Sequence, residues 1–154
     1  MADPVRKLID LEKKMFIMRK FFAEYFRRTT SSILHDEPDF SFLELKGLSA
    51  FIDDQREYTI SEISTTIHLP LSNITIIINR LAKKGIVKKK RDLKDKRVIR
   101  VFLTEKGKKM RREFMGKRVQ EVKDLLGRLS EEDQNDLFNA FETATNIFQK
   151  IQYS

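Results

Sequence analysis

Pro70 cannot sit inside a helix, yet helical patterns lie on both sides of it, so the chain must bend there. Before it, Thr59-Ile60-Ser61-Glu62 is a capping box: the threonine hydroxyl satisfies a free backbone amide and the glutamate reaches back to another. It opens a short helix to about Ile67, and His68-Leu69-Pro70-Leu71 breaks the chain. After the break, Ile74, Ile77, Ile78 and Leu81 recur at helical spacing over residues 72–84, and Gly85 closes the helix as a C-terminal cap. Residues 86–90 and 97–103 then read as strands around a polar turn, residues 91–96. Two helices joined by a tight break and followed by a hairpin define a mostly α fold with a small β-hairpin wing.

The flanks are helical. Over residues 5–28, Leu8, Leu11, Met15, Met18, Phe22 and Tyr25 alternate spacings of three and four, a heptad-like seam. Val5, Ile9, Phe16, Phe21 and Phe26 widen it, so more than one face must be covered. Residues 29–32 are expected to end this helix. Ser41-Phe42-Leu43-Glu44 is a second capping box, opening a helix to about Asp53. Thr104 caps a long helix with Met115, Val119, Val122, Leu126 and Leu129 at seam spacing. Ser130 and Asp133 open a last one, carrying Leu137, Phe141, Ala144, Phe148 and Ile151. The expected organisation is one domain over residues 1–154, with a central lobe, 40–103, and a helical lobe, 5–28 and 104–151. Such seams commonly serve as intramolecular core, but three long apolar helices exceed what a small central block covers, which favours self-association as a homodimer.

Charge is concentrated rather than spread. Residues 80–100 carry eleven basic groups against two acids, a net of +9; against the whole chain's +8, that leaves −1 for the other 133 residues. A solvated mixed-sign face is the ordinary use of a charge run, but this one is nearly single-signed and extends into strands, so it points to a polyanion. The chain has no cysteine, and its two histidines, His35 and His68, lie far apart, which excludes disulfides and thiolate sites and leaves no zinc pattern. No stretch has the roughly 20 apolar residues of a membrane span, and the N-terminal residues lead into no signal-peptide apolar run, so a cytoplasmic protein without membrane contact is expected. No cofactor is implied. An enzyme would need a nucleophile with a base, a metal cluster or a phosphate loop, and the chain shows none, so no enzyme is expected.

The helix after Pro70 has the composition of a groove reader. With Ile74, Ile77, Ile78 and Leu81 inward, Ser72, Asn73, Thr75, Ile76, Asn79, Arg80 and Lys83 face out. Ser72, Asn73 and Thr75 are short polar groups suited to base edges or phosphates, and Ile76 suits a thymine methyl. The wing beside it, with Lys94, Asp95, Lys96 and Arg97, brings cations to phosphates or into the minor groove. Together these residues are the candidate surface for double-stranded DNA.

The segment Asn79-Arg80-Leu81-Ala82-Lys83-Lys84-Gly85-Ile86-Val87 resembles the end of the recognition helix of the MarR family of regulators. Asp92-Leu93-Lys94-Asp95-Lys96-Arg97 is similar to that family's wing signature, Asp-x-x-Asp-x-Arg, and Leu103-Thr104-Glu105-Lys106-Gly107 to its exit from the wing. The similarity covers residues 60–107; the flanking helices agree in length and order. It implies a six-helix winged helix-turn-helix dimer whose terminal helices pack on their partner, binding a palindromic operator, usually to repress, with release by a small ligand. It also implies an Asp95–Arg97 pair orienting Arg97 toward DNA, with Lys94 and Lys96 at the backbone or minor groove. Where the family often has arginine this chain has Ile76, where a capping serine is common it has Pro70, and where glycine is usual it has His68; Ser72 is then the candidate helix cap. The absence of cysteine excludes the thiol-based, peroxide-sensing branch. An effector is expected only from the resemblance, its identity unknown, with Phe16, Phe22, His35 and Phe42 as candidate pocket residues. The competing reading is a winged helix that contacts protein or RNA without operator specificity.

Overall fold

The computed structural model describes residues 3–152. It contains six helices, α1 (Pro4–Asp36), α2 (Phe42–Ser49), α3 (Ile60–Ile67), α4 (Leu71–Lys83), α5 (Glu105–Leu126) and α6 (Glu131–Gln152), and three strands, β1 (Tyr58–Thr59), β2 (Val87–Arg91) and β3 (Ile99–Leu103). Two compact units divide the chain, one running to Met115 and one from Gly116 onward.

In the first unit, α2, α3 and α4 enclose a core of Leu48, Phe51, Ile63, Ile74, Ile78 and Leu81, closed by Ile86 from the turn after α4 and by Val101 and Leu103 from the sheet. Both predicted capping boxes form. Ser41 Oγ accepts from the Glu44 amide at 3.2 Å while Glu44 Oε2 accepts from the Ser41 amide at 2.7 Å, and Thr59 and Glu62 repeat the exchange at 3.1 and 2.7 Å. Each box fixes where a short helix begins, which eight-residue helices need because their nucleation is costly.

The α1 helix runs past residues 29–32 to Asp36, longer than its sequence suggests. Thr29 bonds its hydroxyl back to the Tyr25 and Phe26 carbonyls, and Thr29, Thr30 and Ile33 are buried. Ile33 packs with Leu45 and Phe114, so tertiary burial overrides the poor helix propensity of the threonines. The opposite correction applies to α2, which stops at Ser49 rather than near Asp53. The chain turns at Ala50 so that Phe51 can enter the core, edge-on to Tyr58 at 5.4 Å.

The sheet has three strands in the order β1-β3-β2, all antiparallel. β1, not anticipated, pairs Tyr58 with Val101 and Thr59 with Arg100 and covers one edge of the wing. In the hairpin, Val87 faces Leu103, Lys89 faces Val101, and Lys90 faces Arg100.

In the second unit, Ser130 caps α6 by accepting from the Asp133 amide at 3.1 Å, as its sequence suggests. Leu137, Phe148 and Ile151 on that helix are exposed.

Candidate nucleic-acid interface

Helix α4 divides as its periodicity predicts. Ile74, Ile77, Ile78 and Leu81 are buried, while Ser72, Asn73, Thr75, Ile76, Asn79, Arg80 and Lys83 are all exposed. The entry to α4 is a strained turn: His68 adopts φ 53° and ψ 49°, a left-handed conformation that costs a non-glycine residue about 1–2 kcal/mol. The turn is held by Ser64, whose hydroxyl donates to the Leu69 carbonyl at 2.5 Å. Pro70 occupies the N-cap and no side chain caps the helix, so Ser72 does not take that role. It lies within the first turn, because the chain enters α4 one residue earlier than its pattern suggests.

The exit is a Schellman turn. Gly85 adopts φ 71°, its amide donates to the Ala82 carbonyl at 3.0 Å, and the Ile86 amide donates to the Leu81 carbonyl at 2.9 Å. That turn aims β2 back alongside α4. Lys89 Nζ then donates to Asn79 Oδ1 at 2.6 Å, tying the wing to the exposed helix face. Between them lies a cleft of about 240 Å³ with Ile60, Ile78 and Ile99 in its walls and Lys89 and Arg91 at its side. Phe16, Phe22, Phe42 and His35 are exposed and do not line it.

The tip of the wing, residues 92–98, is built by carboxylates. Asp92 Oδ1 accepts from the amides of Lys94 and Asp95 at 2.8 and 3.1 Å, and its Oδ2 accepts from Arg100 Nε at 2.7 Å. The Asp92 amide donates to the Val98 carbonyl, and the Val98 amide to Asp95. Asp95 grips Arg97 with both oxygens, taking Nε at 3.1 Å and Nη2 at 3.2 Å. Two of five guanidinium N–H groups are thereby used and three remain for another acceptor.

Not every cation of residues 80–100 is available. Lys84 is structural: its Nζ lies 2.9 Å from the nearly buried Glu44 carboxylate, over the Phe40 ring, and bonds the Asp39 carbonyl. Burial works to raise the Glu44 carboxyl, but the Ser41 amide and Lys84 hold it below the ordinary range. Lys90 and Arg100 face each other across the ladder, a repulsive placement. Glu57, 2.5 Å from Lys90, and Asp92 relieve it. Arg80, Lys83, Lys88, Arg91, Lys94 and Lys96 are exposed, and none is ion-paired among the described residues. Sequence reading missed Lys89, Arg100 and Glu57, although strand alternation signals Lys90 against Arg100 and hence a need for acids nearby.

The Asp92 carboxyl is held at about 2, below its ordinary 3.8, first by Arg100 and then by the Asp95 and Lys94 amides. Its contribution is therefore complete at neutral pH and is lost as pH falls from about 4 toward 2. We expect the Asp92 carboxyl carbon to titrate near about 2 by NMR, with the Lys94 and Asp95 amide resonances following. An ordinary midpoint would mean that the turn is not held this way.

A helix-turn-helix with a basic three-stranded wing is the winged-helix fold of transcriptional regulators. The chain belongs to the SarA/Rot family of transcriptional regulators, whose model matches residues 30–114. It is similar to the HTH-type transcriptional regulator YfiV of Bacillus subtilis, 30% identical over 139 residues and covering 87% of this chain and 86% of that one. Among solved structures it shares the fold of a MarR family protein from Bacillus stearothermophilus, with a TM-score of 0.71, 22% identity, and coverage of 99% and 100% of the two chains. It also shares the fold of Bordetella bronchiseptica BpsR, whose DNA binding is regulated by 6-hydroxynicotinic acid, with a TM-score of 0.61, 15% identity, and coverage of 83% and 98%. The resemblance to MarR regulators is thus upheld, and the family is one of regulators rather than enzymes. Among the described residues no His, Asp or Glu cluster could hold a metal, and no helix is long and apolar enough to cross a membrane.

Proposed function

We propose that this regulator binds a palindromic DNA operator as a homodimer. The exposed face of α4 enters the major groove, where Asn73 and Arg80 meet base edges and Ile76 meets a thymine methyl. Thr75 bonds its own hydroxyl back to Leu71, so it offers an acceptor only. Arg97, Lys94 and Lys96 lie on the adjacent backbone and minor groove, with Asp95 orienting Arg97. The observation that carries this reading is the Lys89–Asn79 bond, which makes helix face and wing one cationic surface.

The terminal helices supply the dimer lobe. On α1, Leu8, Leu11, Met15 and Met18 are all exposed, as are Leu137, Phe148 and Ile151 on α6. Exposed apolar seams of that extent favour burial against a second copy. A two-fold axis would set two α4 helices about 34 Å apart, one turn of duplex. By analogy with BpsR, a small ligand acts on that geometry, and the regulator represses until released.

Selection of bound duplexes from a random pool tests the reading. An inverted repeat with half-sites one helical turn apart is expected, together with a light-scattering mass near twice 18.3 kDa at micromolar concentration. A pool without enrichment would overturn the DNA reading, and a clean monomer the dimer.

A further inference from the structure

We propose that Leu93, at the tip of the wing, is an apolar wedge that enters the minor groove and opens a flexible base step. Leu93 is 95% exposed, well beyond Ile52 at 71%. A solitary exposed leucine is ordinary on a protein surface; its setting is what distinguishes this one. Turns favour Asp, Asn, Gly, Ser and Pro, each for a hydrogen bond or a backbone angle. Leucine supplies neither, and at this exposure it packs on nothing.

Leu93 is nevertheless held in place. The two amide bonds that Asp92 accepts, from Lys94 and Asp95, bracket it, and Arg100 anchors Asp92 from β3. The backbone that carries Leu93 is thus preorganised, and only the rotamers of the side chain itself remain to be ordered on docking. Arg91 at the end of β2 and Lys94 and Lys96 on the loop flank it in the chain, exposed and without an acid partner among the described residues. A polyanion drawn to those cations meets Leu93 among them. On a duplex, the matching device is a leucine inserted between base steps from the minor groove, least costly at pyrimidine–purine steps, which unstack readily. A lipid surface also accepts a leucine ringed by lysines. The bond between Lys89 and Asn79 favours DNA, because it joins the wing to a helix face that a flat bilayer would not engage. The inference rests on the DNA-binding reading above.

The experiment uses the full chain and the duplex that it enriches, with 2-aminopurine placed in turn at each step flanking the half-site. Wild type should raise the fluorescence at one step. L93A should abolish that rise and weaken binding about tenfold or more. Its salt slope should stay unchanged, since no phosphate contact is lost. L93M should restore both signals. Because Leu93 supports no core, thermal melting of L93A should match wild type. Affinity within about twofold of wild type, or no unstacked step with the wild-type protein, overturns the proposal while leaving DNA binding intact. Loss by L93A of binding to phosphatidylserine vesicles with duplex affinity retained assigns the residue to lipid instead and also overturns it. A pool without any enriched duplex removes both readings together.

Discussion

Arg97→Ala is expected to weaken operator binding by about a hundredfold or more, since each wing loses a charge-assisted contact of roughly 1.5–3 kcal/mol and a dimer loses two. The same change should leave folding nearly untouched. Arg97 is exposed, its ion-pair partner among the described residues is Asp95 alone, and exposed ion pairs contribute about 0–1 kcal/mol. The bidentate grip uses one edge of the guanidinium and leaves the other edge presented, so the pair positions the cation rather than neutralising it. Two consequences separate this role from general electrostatics. The salt slope of binding should fall by about two, one contact per wing. Arg97→Lys should recover the slope but only part of the affinity, because an ammonium cannot be held in the same fork. Gel-shift titration at several salt concentrations measures both, and affinity within about twofold of wild type would remove Arg97 from the interface.

What the chain discloses before folding follows from the range over which each determinant acts. The inward and outward split of α4, both capping boxes and the Gly85 turn were legible, because helical spacing and cap chemistry operate within a few residues. The family resemblance was legible for the same reason, resting on short motifs around Asp92, Arg97 and Gly107. The length of α1 was not: Thr29-Thr30-Ser31-Ser32 looks like a stop until Leu45 and Phe114 arrive to bury Ile33. Two-residue β1 is too short to show alternation, and it exists because β3 offers an edge. The pairs Lys84–Glu44 and Lys90–Glu57 join residues dozens of positions apart, so no local pattern marks Lys84 as structural while Lys83 beside it faces solvent. Local rules thus located the candidate surface, and tertiary pairing decided which of its cations are available.

The largest expected loss of stability comes from one methyl group at Gly107, in the motif that leads out of the wing. A Cβ there would sit 2.1 Å from the Ile86 carbonyl oxygen and 3.0 Å from its carbon, a backbone obstacle that no rotamer can clear. The crowding has a cause. Thr104 donates its amide to the Ile86 carbonyl at 3.0 Å and its hydroxyl to Gly85 at 2.5 Å, while its oxygen accepts from the Gly107 amide at 3.0 Å. The first turn of α5 is thereby drawn against the turn that ends α4. Gly107→Ala must push them apart, adding overpacking of about 1–3 kcal/mol to the loss of one or two hydrogen bonds near 1 kcal/mol each. A drop of about 10 °C in melting temperature is expected. Gly116, also within α5, has nothing within 4 Å of a built Cβ, so Gly116→Ala should be neutral or stabilising by up to about 1 kcal/mol. Calorimetry on the two variants isolates the contact from helix propensity, which favours alanine in both. Equal melting temperatures would show that α5 does not press on Ile86. A selective fall with Gly107→Ala would show that the glycine of this motif is there to let α5 close against the turn that ends α4.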